Sequence, residues 1–375
     1  MTTTPLQAVG LPDPYPYYAD LAAERPFAHD ETLGAWVAAD AAAVRAVLGT
    51  PSLRVRPAAE PVPAGIVGTA AGEVFGELVR MTDGPLQRRL KALVVQALAR
   101  PDRDRVAGLA AASTRAVLAG GEVPYQELMF GVPARTVAAL MGLTDGADAE
   151  AARLIGDFVQ CIPAGADEEQ YKAAAVAAAS LKDLLGPGLD GRGEGLLAEL
   201  VRAARADSWP DTAPLLANAV GFLSQTYDAT AGLIGNTLLA LSRGAARPGD
   251  PKAADALVRE VVRHDAPIQN TRRFAAEAFT HGDHVVEPGG QVLVVLAAAN
   301  RDPSVNPDPH TLLLDRVNPV VFTFGAGAHR CPGEDLATAI SGAVVGELLA
   351  AGWNPATLPE SPRYRPLANA RIPHL

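Results

Sequence analysis

The sequence contains little cysteine and no long apolar run, and both absences restrict what the protein can be. Among 375 residues there are only two cysteines, Cys161 and Cys331, so a disulfide framework is not indicated and a reducing compartment is expected. No run of about 18 uncharged apolar residues occurs, and the N-terminus lacks the basic and apolar regions of a secretion signal. We therefore expect a cytoplasmic protein that does not enter a membrane.

Basic residues are outnumbered by acidic ones. The 32 Lys and Arg face 42 Asp and Glu, which gives a formal net charge of −10. This balance argues against a nucleic-acid partner, although a local basic patch could still dock an acidic protein. No internal repeat or low-complexity linker divides the chain, whose length fits one large domain or two or three smaller ones.

Residue patterns predict a mainly α protein with a small β region. Alanine-rich stretches such as 173–179 favour helix, and residues 213–243 are apolar all round, as in a buried helix. β-type residues predict strands near 285–286 and 292–296, whereas the Pro- and Gly-rich segment 51–80 is interpreted as a mobile, unpacked, substrate-facing segment. Helical spacing predicts further helices over 13–24, 40–48, 85–98, 102–119, 133–143, 147–160, 168–185, 192–205 and 252–265.

Cys331 follows a glycine-rich run and precedes an apolar helical stretch from Leu336 to Leu349. A helix N-terminus and neighbouring N–H groups stabilise a thiolate, which is a metal ligand or a nucleophile. Gly325 and Gly327 can adopt positive φ and would let the loop approach a flat group such as a haem. Without this setting, a lone cysteine is more often an inert core residue.

The run resembles the haem-ligand signature of the cytochrome P-450 superfamily, Phe-x-x-Gly-x-His-x-Cys-x-Gly. The resemblance extends over about residues 10–375 and implies one domain over 1–375, with haem b between the long central helix and the helix of the cysteine loop. It makes Cys331 the iron ligand. The residues of this loop that the resemblance assigns to haem binding are Phe324, Gly325, Gly327, His329, Cys331 and Gly333.

Glu260 and Arg263 are spaced i, i+3 and can pair on a helix. Judged alone, they indicate a surface ion pair worth at most about 1 kcal/mol. The resemblance instead implies a structural pair that locks a meander beneath the haem. The family's third member of this network is an arginine, but Thr311 occupies that position, so we expect His310 or Arg316 to substitute, or the network to be weaker.

The haem propionates need cations or hydrogen-bond donors. The resemblance assigns Arg273 and His329 to this role, and it places Gln87 and Lys91 where the family has a histidine and an arginine. Both can donate, although lysine is not a bidentate fork. The alternative is that residues around Lys91 form only a basic, solvated helix face.

The long helix contains a polar patch that resembles the family's oxygen-binding segment. Asp228 is retained as the proton-relaying acid, whereas Gln225, Thr226 and Ala229 replace the family's alanine, glycine and threonine, and Thr230 follows directly. Gln225 and Ala229 share a helix face, so we favour the Gln225 amide as the group that compensates for the missing hydroxyl, with the hydroxyls of Thr226 and Thr230 or a group of the substrate as the other candidates. The alternative is a helix kink satisfied by water.

The resemblance implies a monomeric monooxygenase that uses dioxygen to oxidise an apolar small molecule, in bacterial secondary metabolism. Electrons would come from a separate ferredoxin or flavodoxin and its reductase, docked on basic residues beneath Cys331. Two alternatives stay open: oxidative coupling or ring closure without oxygen insertion, and a haem-binding protein without turnover. The substrate would be selected by segments 51–80 and 160–172, by the long helix and by the region after Thr271. Candidates for the docking residues are Arg88, Lys91, Arg100 and Arg330.

Overall fold

A computed structural model describes residues 3–121, 123–163, 165–359 and 361–375, without the side chain of residue 251. The predicted mainly α fold with a small β region is confirmed. The helices are α1 (Pro5–Ala8), α2 (Tyr15–Glu24), α3 (Ala41–Gly49), α4 (Ala70–Glu77), α5 (Gly84–Leu98), α6 (Arg103–Leu118), α7 (Val132–Leu140), α8 (Ala147–Phe158), α9 (Glu168–Leu185), α10 (Leu196–Ala206), α11 (Ala213–Ser242), α12 (Pro251–His264), α13 (Leu296–Ala299) and α14 (Glu334–Ala350). The strands are β1 (Phe27–Asp30), β2 (Ala35–Ala38), β3 (Leu53–Arg54), β4 (Thr271–Ala275), β5 (Phe279–His281), β6 (His284–Val286) and β7 (Gln291–Val294).

The chain forms two compact units. The first comprises Met1–Ala58, Ala231–Cys331 and Leu348–Leu375, and the second comprises Ala59–Thr230 and Pro332–Glu347. The division falls within α11 and directly after Cys331. That residues 1–375 act as one domain stays a prediction. Among the described residues, no helix combines the length and the apolar character that crossing a bilayer requires.

The first unit is built on a five-stranded sheet in the order β1-β2-β7-β4-β3. Strands β2 and β7 are parallel and the other neighbours antiparallel, while β5 and β6 form a separate hairpin. Successive side chains of a strand point to opposite faces. Accordingly, Val292 and Val294 of β7 pack into a core with Val44 of α3, whereas Leu293 joins a second core with Tyr18 of α2.

The second unit is helical. The structure also corrects the interpretation of segment 51–80, whose residues 51–58 belong to the first unit and 59–80 to the second. Residues 53–54 form β3 and residues 70–77 form α4, whose Val74 and Phe75 are buried. The segment is held against α9 by an ion pair between Lys182 Nζ and Glu73 Oε2 at 2.7 Å. The prediction of an unpacked segment is wrong because proline and glycine report local conformation, whereas tertiary contacts decide whether the segment is ordered.

Other boundaries agree with the sequence prediction to within a few residues. Helix α9 matches it fully, and α12 begins with Asp250 accepting a hydrogen bond from the Ala253 N–H at 2.8 Å. The predicted strand 292–296 ends at Val294, because α13 starts at Leu296. Segment 160–172 contains the start of α9, and its residue 164 lies outside the described residues.

Candidate active site

The cysteine loop is a compact turn closed by backbone hydrogen bonds. The Cys331 N–H donates to Phe324 O at 2.7 Å, and the Gly325 N–H donates to Phe322 O at 2.7 Å. The Cys331 side chain is exposed and precedes the first turn of α14. Since a free cysteine is among the most buried residue types, an exposed thiol on a rigid turn suits a ligand better than a packing residue.

The two glycines of the loop are required for different structural reasons. Gly325 has φ +70°, and an added Cβ would meet no atom closer than the His329 carbonyl oxygen at 3.7 Å. It is therefore required by its backbone conformation. Gly327 has φ +64°, and its Cβ would lie 2.5 Å from the Leu48 carbonyl oxygen at the end of α3. The missing side chain of Gly327 thus makes room for α3, and the expectation that the loop approaches a flat group such as a haem stays a prediction.

Glu260 and Arg263 form a buried, bidentate ion pair. Arg263 Nε lies 3.0 Å from Glu260 Oε2, and its second nitrogen lies 2.6 Å from Oε1. The side chains are only 0% and 3% exposed. Arg263 also donates to the carbonyl oxygens of Asn300, Pro309 and Thr311. The contribution of at most about 1 kcal/mol expected for a surface ion pair does not apply here. Breaking a buried pair costs more, because it leaves one charge uncompensated.

Arg316 supplies the third member of this network. Its Nε lies 3.3 Å from Glu260 Oε1, and its guanidinium donates to the carbonyl oxygens of Pro307, Asp308 and Thr311. The prediction that Arg316 could substitute at this position is confirmed. The other candidate, His310, contacts a different residue: its backbone oxygen lies 2.9 Å from His264 Nε2.

Arg273 and His329, the predicted propionate partners, lie in the same compact unit as Cys331. Arg273 is 6% exposed and sits on β4, an interior strand of the sheet, where its guanidinium donates to Arg272 O at 2.8 Å. His329 ends the short 3-10 turn that precedes Cys331. Both positions are compatible with hydrogen-bond donors to a bound ligand. That Arg273 and His329 bind the haem propionates stays a prediction.

Gln87 and Lys91 lie on α5, one turn apart on the same face. Gln87 is 2% exposed and Lys91 is half-buried, so this face is not the solvated one. Arg88 and Arg89 are on the exposed side, and Arg89 is paired with Asp207. The helix therefore has a basic solvated face, but it is distinct from the face that carries the two predicted donors.

The polar patch of α11 is also where this helix becomes accessible. From 217 to 239 all residues are buried except 225–229, which are half-buried. The Gln225 amide donates to Gly221 O at 3.1 Å, and the Thr226 hydroxyl donates to Phe222 O at 2.8 Å. Both side chains point toward the helix N-terminus. In this conformation Gln225 does not extend over Ala229, and it must release Gly221 to do so.

Thr230 differs from the other threonines in the described helices. The buried hydroxyls of Thr114, Thr136 and Thr237 donate to the carbonyl four residues earlier, whereas that of Thr230 has no hydrogen-bond partner and the residue is 0% exposed. An unsatisfied buried hydroxyl is costly. Because Thr230 is fully buried, its hydroxyl is less accessible than the side chains of the half-buried residues 225–229.

Sequence reasoning missed Tyr227, which lies in the accessible stretch. Its ring centroid is 4.9 Å from that of Phe130, which belongs to a π-helical turn at Glu127–Gly131 before α7. A Cβ on Gly156 would come within 2.9 Å of the Tyr227 hydroxyl, so this glycine makes room for the phenol. Such π-turns are frequent at functional sites, but a single residue type does not reveal them.

Comparison with known proteins agrees with the geometry of the loop. The sequence pattern described as cytochrome P-450 matches residues 252–351, which include the Glu260 network and Cys331. The cytochrome P-450 monooxygenase PikC of Streptomyces venezuelae is 31% identical over 348 residues, or 87% of this chain and 80% of PikC. The chain belongs to the cytochrome P-450 family. It is thus an oxidoreductase of the monooxygenase type, as the sequence predicted.

Two further relatives extend this assignment. The 6-deoxyerythronolide B hydroxylase of Saccharopolyspora erythraea is 30% identical over 273 residues, which is 70% of this cytochrome P-450 and 67% of the hydroxylase. The crystal structure of CalO2 superimposes with a TM-score of 0.80 at 25% identity, covering 96% of this chain and 94% of CalO2. Several relatives belong to bacterial polyketide or secondary metabolism, and membership of the family implies a haem iron, dioxygen and a redox partner.

Proposed function

We propose that this cytochrome P-450 binds haem b through Cys331 and inserts one oxygen atom of dioxygen into an apolar small molecule. The observation that carries the proposal is the exposed Cys331 thiol on a turn closed by the bond from its N–H to Phe324 O. A soft thiolate is a suitable iron ligand, so the donor chemistry fits the group. When bound, a haem ligated by thiolate supplies electron-rich iron that favours cleavage of the O–O bond.

The protein's part is to hold the haem carboxylates and to exclude bulk water. Two partly buried propionates without partners would be costly, and charge-assisted bonds offset that cost. We assign this role to Arg273, His329, Gln87 and Lys91. Phe324, Gly325, Gly327 and Gly333 shape the loop that carries the thiolate.

Proton delivery is assigned to the accessible stretch of α11. Asp228 is half-buried there and can take up and release a proton at its carboxylate. Ala229 has no hydroxyl, so a neighbouring group must order the water that carries protons to dioxygen. We favour the Gln225 amide once it releases Gly221 O, with the hydroxyls of Thr226 and Thr230 as the other candidates.

The substrate class is proposed from the relatives. One of them is named for hydroxylation of 6-deoxyerythronolide B, and several belong to bacterial secondary metabolism. An apolar product of bacterial secondary metabolism is therefore our proposed substrate for this chain. A separate ferredoxin or flavodoxin and its reductase would supply electrons to a monomeric, cytoplasmic protein.

One observation favours a second candidate function. Because the Ala229 side chain offers no hydrogen bond near the reacting oxygen, coupling or ring closure of the substrate without oxygen insertion becomes competitive with monooxygenation. Labelled dioxygen separates the two. Label recovered in the product supports monooxygenation, whereas label recovered only in water supports coupling. Absence of substrate-dependent reductant consumption would indicate a haem protein without turnover.

The ligand assignment is tested by the spectrum of the reduced carbon monoxide complex. A thiolate ligand shifts its Soret band to the red, so the wild type should show that band and Cys331→Ser should lose it. The matched control is Cys161→Ser, because Cys161 is 3% exposed and its thiol donates to Phe158 O at 3.1 Å. A band retained in Cys331→Ser would contradict the assignment of Cys331 as the ligand. A band lost in both variants would show that the loss is not specific to Cys331.

A further inference from the structure

Two buried asparagines hold the segment that leads into the cysteine loop. Asn300 Oδ1 accepts the Phe322 N–H at 2.6 Å, and its Nδ2 donates to Thr323 Oγ1 at 2.7 Å. Asn306 Oδ1 accepts the Val320 N–H at 3.0 Å, and its Nδ2 donates to Val320 O at 2.8 Å. The asparagines are 0% and 1% exposed. The Asn306 amide thus pairs with the Val320 backbone as a neighbouring strand would, whereas the Asn300 amide holds one backbone N–H and one side-chain hydroxyl of the segment.

The segment needs this support because residues 319–323 form neither helix nor strand. Asn300 and Thr323 connect it to α12, the helix of the Glu260 network. The Thr323 hydroxyl accepts from Asn300 and donates to Val262 O at 2.7 Å, so its single proton is used. Arg263 and Asn306 both donate to Asn300 O, at 3.2 and 2.9 Å.

The clamp of Asn300, Asn306 and Thr323 continues to the ligand through two backbone hydrogen bonds. Phe322, whose N–H is held by Asn300, accepts the Gly325 N–H through its carbonyl. Phe324 then accepts the Cys331 N–H. Every step from α12 to Cys331 is therefore a short bond between atoms that are neutral. Such a buried network fixes one geometry when all its members are satisfied.

We propose that Asn300, acting through Phe322 and Thr323, is a positioning residue that sets where Cys331 Sγ meets the haem iron. The inference rests on the proposed ligand role of Cys331. Asn300→Ala leaves the Phe322 N–H without its buried acceptor and removes the donor to the Thr323 hydroxyl oxygen, which favours a displaced loop. A displaced loop would end thiolate ligation, because the thiolate is then protonated or another group takes its place. The red-shifted Soret band of the carbon monoxide complex reports the loss of thiolate ligation directly.

The experiment compares holoenzymes in the reduced, carbon monoxide-bound state. We expect Asn300→Ala to lower the ratio of red-shifted to unshifted band at least about tenfold, which corresponds to about 1.4 kcal/mol. Thr323→Val should lower the ratio in the same direction, and Thr323→Ser should restore it because serine keeps the hydroxyl. A matched control is Asn236→Ala, since Asn236 is also 0% exposed but donates to Asp265 O and Arg371 O. It should lower the melting temperature and keep the wild-type ratio.

A wild-type ratio in Asn300→Ala would overturn the inference, as would equal losses in Asn300→Ala and Asn236→Ala. If Asn300→Ala does not fold, the Thr323→Val and Thr323→Ser pair decides the matter by the same ratio. If the wild type itself lacks the red-shifted band, the proposed ligation fails. Hydrogen exchange at the Gly325 and Cys331 amides then still tests the clamp, because both should exchange faster in Thr323→Val than in wild type.

Discussion

Replacing either arginine of the Glu260 network should destabilise the fold, and by different amounts. Arg263→Leu removes two N–H bonds to Glu260 and the donors to the carbonyl oxygens of Asn300, Pro309 and Thr311. The carboxylate it leaves behind is only 3% exposed. Because one charge of a buried pair then lacks its main partner, we expect a loss of about 3–5 kcal/mol in the free energy of unfolding.

Arg316→Leu should cost less. It removes one contact with Glu260 at 3.3 Å and the donors to three carbonyl oxygens in segment 307–311. Arg263 still holds both Glu260 oxygens, the Leu313 N–H still donates to Oε1 at 3.1 Å, and most of that segment is exposed to water. The expected loss is about 1.5–3 kcal/mol, the range for one hydrogen bond to a charged group.

Urea unfolding of the purified variants measures both losses. The control is Arg259→Leu on the same helix, because Arg259 makes an exposed pair with Asp255 at 3.0 Å whose loss should cost about 0.5 kcal/mol or less. Equal losses for Arg263→Leu and Arg316→Leu would refute the assignment of Arg263 as the main partner. A loss for Arg263→Leu no larger than the control would refute the argument from burial itself.

Three further predictions concern pH, coupling and electron supply. Burial and a neighbouring guanidinium lower the pKa of His264 from 6.5 to about 4, so its neutral form stabilises the fold fully above pH 6.5. About 2 kcal/mol, after allowance for solvent screening, should be lost as the pH falls toward 4, and an equally steep loss in His264→Gln would contradict this. Gln225→Ala should divide product formed per reductant by about ten, whereas Ala229→Thr should not lower it, and an unchanged ratio in Gln225→Ala would transfer the role to the substrate. Reduction by an acidic ferredoxin should slow with rising salt, and a rate independent of salt would count against the basic docking surface of Arg88, Lys91, Arg100 and Arg330.

The cysteine loop was predictable because its chemistry and its spacing lie in one short run. Cys331, its glycines and the following helix are contiguous, so the sequence identified the loop before any fold was available. The Glu260 and Arg263 pair was also visible, since i, i+3 spacing places both on one helix face. Its burial was not visible in the sequence. Burial raises the expected cost of breaking the pair from at most about 1 kcal/mol to about 3–5 kcal/mol.

The rest of the network depends on residues brought together from far along the chain. Arg316 reaches Glu260 across 56 positions, and Asn300 reaches Thr323 across 23. Their side chains act on irregular backbone, which carries no periodic signal. The direction of the Gln225 amide could not be predicted either. The same sequence is compatible with a rotamer that bonds the carbonyl of its own helix and with one that extends over Ala229.

By itself the sequence determined the mainly α class, the positions of the long helices and the cysteine proposed as the iron ligand, because helical period and local motifs are properties of neighbouring residues. Only the tertiary structure decided that α4 is packed, that Gly327 makes room for α3, that Arg316 completes the buried ion pair and that Asn300 bonds to the segment that leads into the cysteine loop. Each of these depends on a distance between residues that are remote in the chain, and such distances are set when the core closes.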